Sequence, residues 1–326
     1  MRPQLGNPKA LTGREEGAVL LLVILILTLI SVLILSWARE WRTELKLAGN
    51  FGQVQKCRSL AEAGIFYALG KLVSTKAAEL AAHRHSALQS EMAPGDLWQG
   101  DQRLHILELP DGKVAIRIAD EGGKINLNRA PEGMLRSLFT VLGLTELQIR
   151  TMVDSIQDWR SGDNQPRPYG AKSDYYLGLN PPYVAKNGPF ETVEELTWVH
   201  GFEASPLIPR LGQWLTVQAT GQGVNLNTAP LEVLLAMGIP ADIAQMIMVT
   251  RQKAPFRNSQ EIARLIPSPL LSQQRLSFKT SRFFTITATG MGKQTRGHQT
   301  IRAIVRIDVN RKEPWTIYSW FDGFPG

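Results

Sequence analysis

A polar opening stretch, MRPQLGNPKALTGREEG, gives way abruptly to AVLLLVILILTLISVLILSW, and no residue from Ala18 to Trp37 is charged. About 20 apolar residues in a helix cross the ~30 Å hydrocarbon layer of a bilayer, so this run predicts a transmembrane helix. A cleaved secretory signal has a shorter apolar region closed by a small-residue cleavage site, whereas this run passes directly into Trp37 and Arg39. Beyond the span Val54, Cys57, Ala61, Ile65, Ala68 and Leu72 recur at steps of three and four. That period predicts a helix continuing to about Leu72, roughly 80 Å in all at 1.5 Å per residue. The cationic residues ahead of the span, Arg2, Lys9 and Arg14, favour a cytoplasmic leader and place the remainder outside.

Further along, Leu104 to Pro110 and Lys113 to Ala119 alternate apolar and polar positions around Asp111-Gly112, the signature of a β-hairpin. Strand patterns return only near the end, at Phe284 to Thr289, Thr300 to Val309 and Thr316 to Trp320. Between the two groups the period is helical. A sheet interrupted by a long helical segment predicts an α+β fold with a large insertion. The insertion repeats itself: INLNRAP at Ile125 to Pro131 matches VNLNTAP at Val224 to Pro230. Each copy continues into a leucine-rich helix ending in glycine, Gly143 or Gly238, and then a second helix, in which Ile149 and Met152 align with Ile243 and Met246. Each closes on Pro-Phe and a short helix, PFETVEEL from Pro189 or PFRNSQEI from Pro255. The Asn-x-Ala-Pro word is expected to start a helix, with the second Asn capping free amides and the proline in the first turn. The paired helices look like helix-hairpin-helix or SAM-like units, a family that often holds DNA phosphates on hairpin amides.

Composition changes this picture little. A chain of 326 residues with 44% hydrophobic side chains can bury substantial cores, which excludes a disordered class. The net charge of +7 comes from 36 basic residues scattered among 29 acidic ones, without a basic patch. A single cysteine, Cys57, excludes an internal disulfide and a multi-cysteine zinc site, and its small apolar neighbours mark it as a packing residue. The five histidines, at 83, 85, 105, 200 and 298, show no zinc spacing beyond His83-x-His85. No G-x-S-x-G elbow is present, and GMGKQT at Gly290 to Thr295 lacks the earlier glycine of a phosphate loop and reads as a hairpin turn. No enzyme is expected.

The polar leader ending in Gly17 at the edge of the apolar run resembles a type IV prepilin leader, which implies cleavage by prepilin peptidase between Gly17 and Ala18. Glycine suits the cut because it lets the backbone enter a protease groove extended. Most pilin-like proteins carry Glu as the fifth mature residue, and here that position is Leu22. Together with AEAGIFYAL (Ala61 to Leu69), DEGGKINLN (Asp120 to Asn128), DWRSGDNQPRPYGAK (Asp158 to Lys172) and YVAKNGPFETVEEL (Tyr183 to Leu196), these features resemble the K-type minor pseudopilin family of bacterial type II secretion systems. The resemblance implies a pilin-like long N-terminal helix packed on an antiparallel sheet. It divides the chain into a leader at 1–17, a transmembrane helix at 18–37, pilin-like helix and first strands at 38–124, a duplicated helical insertion at 125–276, and closing strands at 277–326. It further implies an inner-membrane protein with a periplasmic head at the tip of a pseudopilus, partnered by I-type and J-type minor pseudopilins, the major pseudopilin and prepilin peptidase. No nucleic-acid partner is expected; the rival reading is a membrane-anchored helix-hairpin-helix DNA-binding protein, against which the hairpins lack Gly-x-Gly and clustered basic residues. The resemblance also implies Ca²⁺ in the polar loop between Asp158 and Asn187, with Asp158, Asp163, Asp174 and Asn187 as candidate ligands, since Ca²⁺ takes carboxylate and amide oxygens. Lys172 departs from this pattern, standing where the family commonly has Glu.

Overall fold

A computed structural model describes residues 13–84, 98–203, 205–218, 221, 223–265, 276–293 and 297–323. Arg2, Lys9, His85 and the Gln294-Thr295 end of GMGKQT lie outside these residues. The chain divides into two compact units, Met1–Lys56 and Cys57–Gly326.

In the first unit the long helix α1 (Gly13–Arg84) begins. The side chains from Val19 to Leu35 are exposed, as suits a segment whose solvent is lipid. Its two hydroxyls return to the helix backbone: Thr28 Oγ1 donates to Leu25 O at 2.8 Å and Ser31 Oγ to Leu27 O at 2.7 Å. These two hydroxyls thereby have partners inside hydrocarbon. This helix is long and apolar enough to cross a membrane. Val54, expected on the buried stripe, is 45% exposed; the stripe starts at Cys57.

In the second unit the rest of α1 lies on an antiparallel sheet. Its strands are β1 (His105–Leu109), β2 (Gly112–Asp120), β7 (Phe283–Gly292), β8 (His298–Ile307) and β9 (Trp315–Asp322), in spatial order β1-β2-β7-β8-β9. Ala61, Ile65, Ala68 and Leu72 are buried against Val114, Ile116, Ile286, Ala288, Ala303 and Val305, with Cys57 buried at the start of the same stripe, so the period-3.6 stripe of a helix meets the period-2 faces of strands. Small residues set the distance between them. A Cβ on Gly64 would fall 2.5 Å from Val114 Cγ1, and one on Gly290 only 2.1 Å from the Cys57 carbonyl oxygen. Gly290, Met291 and Gly292 of the GMGKQT word belong to strand β7, and Lys293 begins the turn toward β8.

The segment between β2 and β7 builds a second apolar core, drawing on residues from Ile125 to Phe278. Two short parallel pairings mark its repeats. β3 (Ile125–Asn126) pairs with β4 (Leu215–Thr216), and β5 (Val224–Asn225) with β6 (Leu276–Ser277). Inside them lie the helix pairs α2 (Glu132–Val141) with α3 (Glu146–Arg160), and α6 (Leu231–Ala236) with α7 (Ala241–Lys253). Gly143 and Gly238, at φ +82 and +80, end the first helix of each pair in the left-handed region where glycine is favoured. The short helices α4 (Ser173–Leu177), α5 (Ile208–Leu211) and α8 (Ser259–Ala263) and 3₁₀ turns at Glu121–Gly123 and Val193–Trp198 complete the set among the described residues.

Two local expectations are corrected here. Pro131 and Pro230 are the cap residues just outside α2 and α6, not members of the first turn, and neither helix receives a side-chain cap. The second-helix alignment shifts by one: with Thr145 and Pro240 as equivalent caps, buried Ile149 and Met152 correspond to buried Ala244 and Ile247, while Met246 is 49% exposed.

Candidate functional site

The asparagines of the repeated word act as clamps. Asn128 Nδ2 donates to Phe190 O at 2.9 Å while its Oδ1 accepts from Phe190 N at 2.7 Å. Asn227 makes the same pair with Phe256, at 2.9 and 2.8 Å, and adds Phe278 O at 3.2 Å. A side-chain amide carries a donor and an acceptor side by side, so it can satisfy both backbone groups of one residue. In each repeat the entry word is thus tied to the Pro-Phe that closes it. The first asparagines combine a local turn with a distant bond: Asn126 Oδ1 accepts from the amides of Asn128 and Arg129 while its Nδ2 donates to Gln218 O at 2.7 Å, and Asn225 Oδ1 accepts from the amide of Asn227 while its Nδ2 donates to Asp120 Oδ2 at 2.9 Å.

An arginine locks each word from behind. Arg160 donates to the carbonyls of Leu127 and Ala130, and Arg251, one helical turn earlier in its own helix, to those of Leu226 and Ala229. Burial lowers the pKa of both, that of Arg251 to about 10 with Asp101 opposing, and the nearby charge of Arg167 adds to the effect at Arg160. At the first helix pair, Arg136 and Arg150 are both paired with Glu146. Arg160 and Arg251 are thus committed to backbone carbonyls inside the fold, while Arg136 and Arg150 hold their ion pairs at the surface.

The long loop of the first repeat, residues 161–188, is organised around Lys172, whose side chain is 4% exposed. Its ammonium donates to Asp158 O at 2.7 Å, Ser161 Oγ at 2.9 Å, Ser161 O at 3.0 Å and Asn187 Oδ1 at 3.1 Å, and Asp163 Oδ1 stands 3.8 Å away. Of the four expected ligands, Asp158, Asp163 and Asn187 therefore converge on one point, though Asp158 contributes its backbone carbonyl. Its carboxylate faces elsewhere and accepts from Arg167 N at 2.9 Å and Arg167 Nη1 at 3.2 Å. Burial raises the Asp158 carboxyl above its ordinary value, and the Arg167 hydrogen bonds and charge and the Lys172 charge pull it back. The Asp163 carboxyl is held low, first by the Ser161 hydroxyl and then by the Gln165 amide. Asp174 is exposed in the first turn of α4 and outside the cluster.

This arrangement tests the calcium expectation directly. Ca²⁺ takes six to eight oxygens at about 2.3–2.6 Å. Here the oxygens surround an ammonium that already occupies their centre, so the residues present do not fit a divalent ion. Ser161 and the central place of Lys172 escaped sequence reasoning; a lysine beside Ala171 in an oxygen-rich loop was the available signal. Asp120 escaped as well. Buried at 2% exposure, it accepts from Gly122 N, Ser281 N, Asn225 Nδ2 and Thr228 Oγ1, joining the sheet to the second repeat.

The repeat boundary has a counterpart among known proteins. Two family models described as type II secretion system (T2SS), protein K match the chain, one over residues 115–220 and the other over 224–280. Their division falls between the first parallel strand pair and the second. The chain belongs to the type II secretion system protein K family. Relatives bearing that name include one from Pseudomonas aeruginosa, 29% identical over 47% of this chain and 49% of its own length. Others are from Aeromonas hydrophila, 23% identical over 79% and 82%, and from Klebsiella pneumoniae, 28% identical over 71% and 72%. The chain thus spans about half of the first relative and more than two thirds of the other two. A chain in the crystal structure of the GspK-GspI-GspJ complex from the enterotoxigenic Escherichia coli type 2 secretion system shares the fold. Its TM-score is 0.53 at 17% identity, over 82% of this chain and 99% of that one.

Proposed function

We propose that this chain is a minor pseudopilin of type II secretion that stands at the tip of the pseudopilus and works by recruiting subunits. The observation that carries the reading is that the family matches cover both repeats of the insertion while an exposed apolar helix precedes the head. In this reading the helix packs with other pilin-type helices in the inner membrane, the leader is cytoplasmic and the head periplasmic. Leu22 supports the tip position. A carboxylate at that depth is costly in lipid and persists where it meets a partner charge; a subunit with leucine there makes no such pairing with a subunit beyond it. The bulk of the duplicated insertion would itself obstruct further addition. The partners are I-type and J-type minor pseudopilins, in line with the solved complex that shares the fold, then the major pseudopilin.

Processing by prepilin peptidase between Gly17 and Ala18 belongs to the same proposal. Both residues are helical in the structure, so the segment must unwind to enter a protease groove, and glycine lowers helix stability by roughly 0.5–1 kcal/mol relative to alanine. Mass spectrometry of chain co-expressed with prepilin peptidase is expected to show a mature start at Ala18; any other start overturns the leader assignment. Co-purification of the full chain with I-type and J-type subunits tests the assembly, and its absence overturns the recruiting role.

A further inference from the structure

We infer that Lys172 is a tethered cation that cross-links the 161–188 loop in this chain, doing the structural work of a bound divalent ion and making the head independent of one. The oxygens around its ammonium come from separate stretches of chain. Asp158 lies in the last turn of α3, Ser161 and Asp163 just after it, and Asn187 two residues before Pro189. One positive centre therefore holds the start of the loop to its end, while the lysine backbone ties in the middle.

The surroundings are built for a cation. All five nearby groups are oxygens, the donor set that hard divalent ions take. An ammonium has three N–H groups, and four oxygens lie within 3.1 Å, two of them on Ser161, so every proton has an acceptor. A lysine charge buried to 4% exposure is tolerated only when bonded in this way. Asn187 adopts φ +49, a left-handed conformation that non-glycine residues seldom take, and in it presents Oδ1 to the ammonium. Gly170 is required beside the cage, since a Cβ there would come within 2.0 Å of Asp158 Oδ2. A divalent ion placed among these oxygens would lie about 3 Å from a positive charge, and the two exclude each other. Among the described residues no group of three or more His, Cys, Asp or Glu side chains is placed to hold a metal.

The experiment is thermal unfolding of the detergent-solubilised full chain in excess EDTA and in millimolar CaCl₂, with calorimetric Ca²⁺ titration. The wild-type Tm is expected to be the same in both, with no saturable heat. Lys172→Glu exchanges the ammonium for a carboxylate in an otherwise all-oxygen cage. It is expected to melt lower in EDTA, to recover in CaCl₂, and to bind one Ca²⁺ with a Kd on the order of 10⁻⁴ M, the range of extracellular modules. Lys172→Met keeps the length without the charge and is expected to melt lower in both buffers. A wild-type Tm that rises saturably with Ca²⁺, in a manner lost in Asn187→Ala, overturns the inference. So does a Lys172→Met Tm equal to wild type, which decides the matter even where Lys172→Glu does not fold, and so does folded Lys172→Glu that takes no Ca²⁺.

Discussion

Replacing Asp120 by alanine tests how the helical insertion is fastened to the sheet. Its carboxylate accepts four hydrogen bonds: Oδ1 from Gly122 N at 2.9 Å and Ser281 N at 3.1 Å, Oδ2 from Asn225 Nδ2 at 2.9 Å and Thr228 Oγ1 at 3.0 Å. These donors sit in the 3₁₀ turn after β2, in the second repeat, and just ahead of β7, so one side chain joins the exit from the sheet, the insertion and the return. Asp120, Asn225, Thr228 and Ser281 are all buried. A buried donor left without a partner costs roughly 1–3 kcal/mol. Four such losses at the low end give about 4 kcal/mol, a large fraction of the ~5–15 kcal/mol that typically separates folded from unfolded protein. Asp120→Asn retains the shape and one acceptor but turns an NH₂ toward two donors, and about 2 kcal/mol is expected. The assay is urea unfolding of the full chain in detergent, followed by tryptophan fluorescence and paired with hydrogen exchange. The Gly122 and Ser281 amides should lose protection in Asp120→Ala. Stability within about 0.5 kcal/mol of wild type, the usual effect of a surface substitution, would refute the reasoning.

Other positions test the packing, the repeat and the titration of the head. Gly290→Ala drives a Cβ against the Cys57 carbonyl, which no rotamer relieves, and should cost about 1–3 kcal/mol by forcing α1 off β7. Gly133→Ala in α2 meets nothing within 4 Å and should stabilise by up to about 1 kcal/mol, so the two Tm shifts are opposite in sign. Asn128→Ala and Asn227→Ala should both destabilise by about 2–3 kcal/mol in urea unfolding, with Asn227→Ala the worse by about 1 kcal/mol for its extra bond to Phe278. His105, stacked on Trp98 at 4.0 Å with Nε2 buried and unpartnered among the described residues, has its pKa lowered from 6.5 by burial, with Asp101 opposing and Arg103 adding. The folded state therefore binds the proton less readily than the unfolded one. Stability falls as pH drops from 6.5 through the folded value, and His105→Phe should flatten that part of the profile.

Legibility in the sequence followed the length over which a pattern repeats. Alternation across Leu104 to Ala119 with Asp-Gly at its centre predicts a hairpin, and β1 and β2 form it; the closing strands were readable for the same reason. The repeat was visible because two identical jobs demand the same N-L-N word. Its physics was not. The second asparagine looks like a helix cap, and only the fold brings Phe190 and Phe256 within its reach. The two-residue parallel strands are too short for any period, and their partners lie too far along the chain. Asp120 sits in an Asp-Glu-Gly-Gly stretch with no apolar period to mark it as buried, and its burial arises from Asn225, Thr228 and Ser281 arriving from distant sequence.

Lys172 shows why residue type alone misleads at such a site. Among carboxylates and amides, a lysine reads as a ligand replaced by a charge of the wrong sign. That inference assumes the lysine occupies a ligand's place at the rim. Its four-carbon stem instead carries the ammonium to the centre, at hydrogen-bonding distance from Asp158, Ser161 and Asn187 oxygens. There the sign is the right one. The oxygens need a positive centre to offset their mutual repulsion, and whether that centre arrives from solution or on a side chain makes little difference to them. What changes is the reference state. A diffusible ion stabilises in proportion to the logarithm of its concentration, whereas a tethered one contributes at every ionic composition. A loop fastened in this way keeps its shape wherever the chain is placed, at the cost of the ability to respond to the ion.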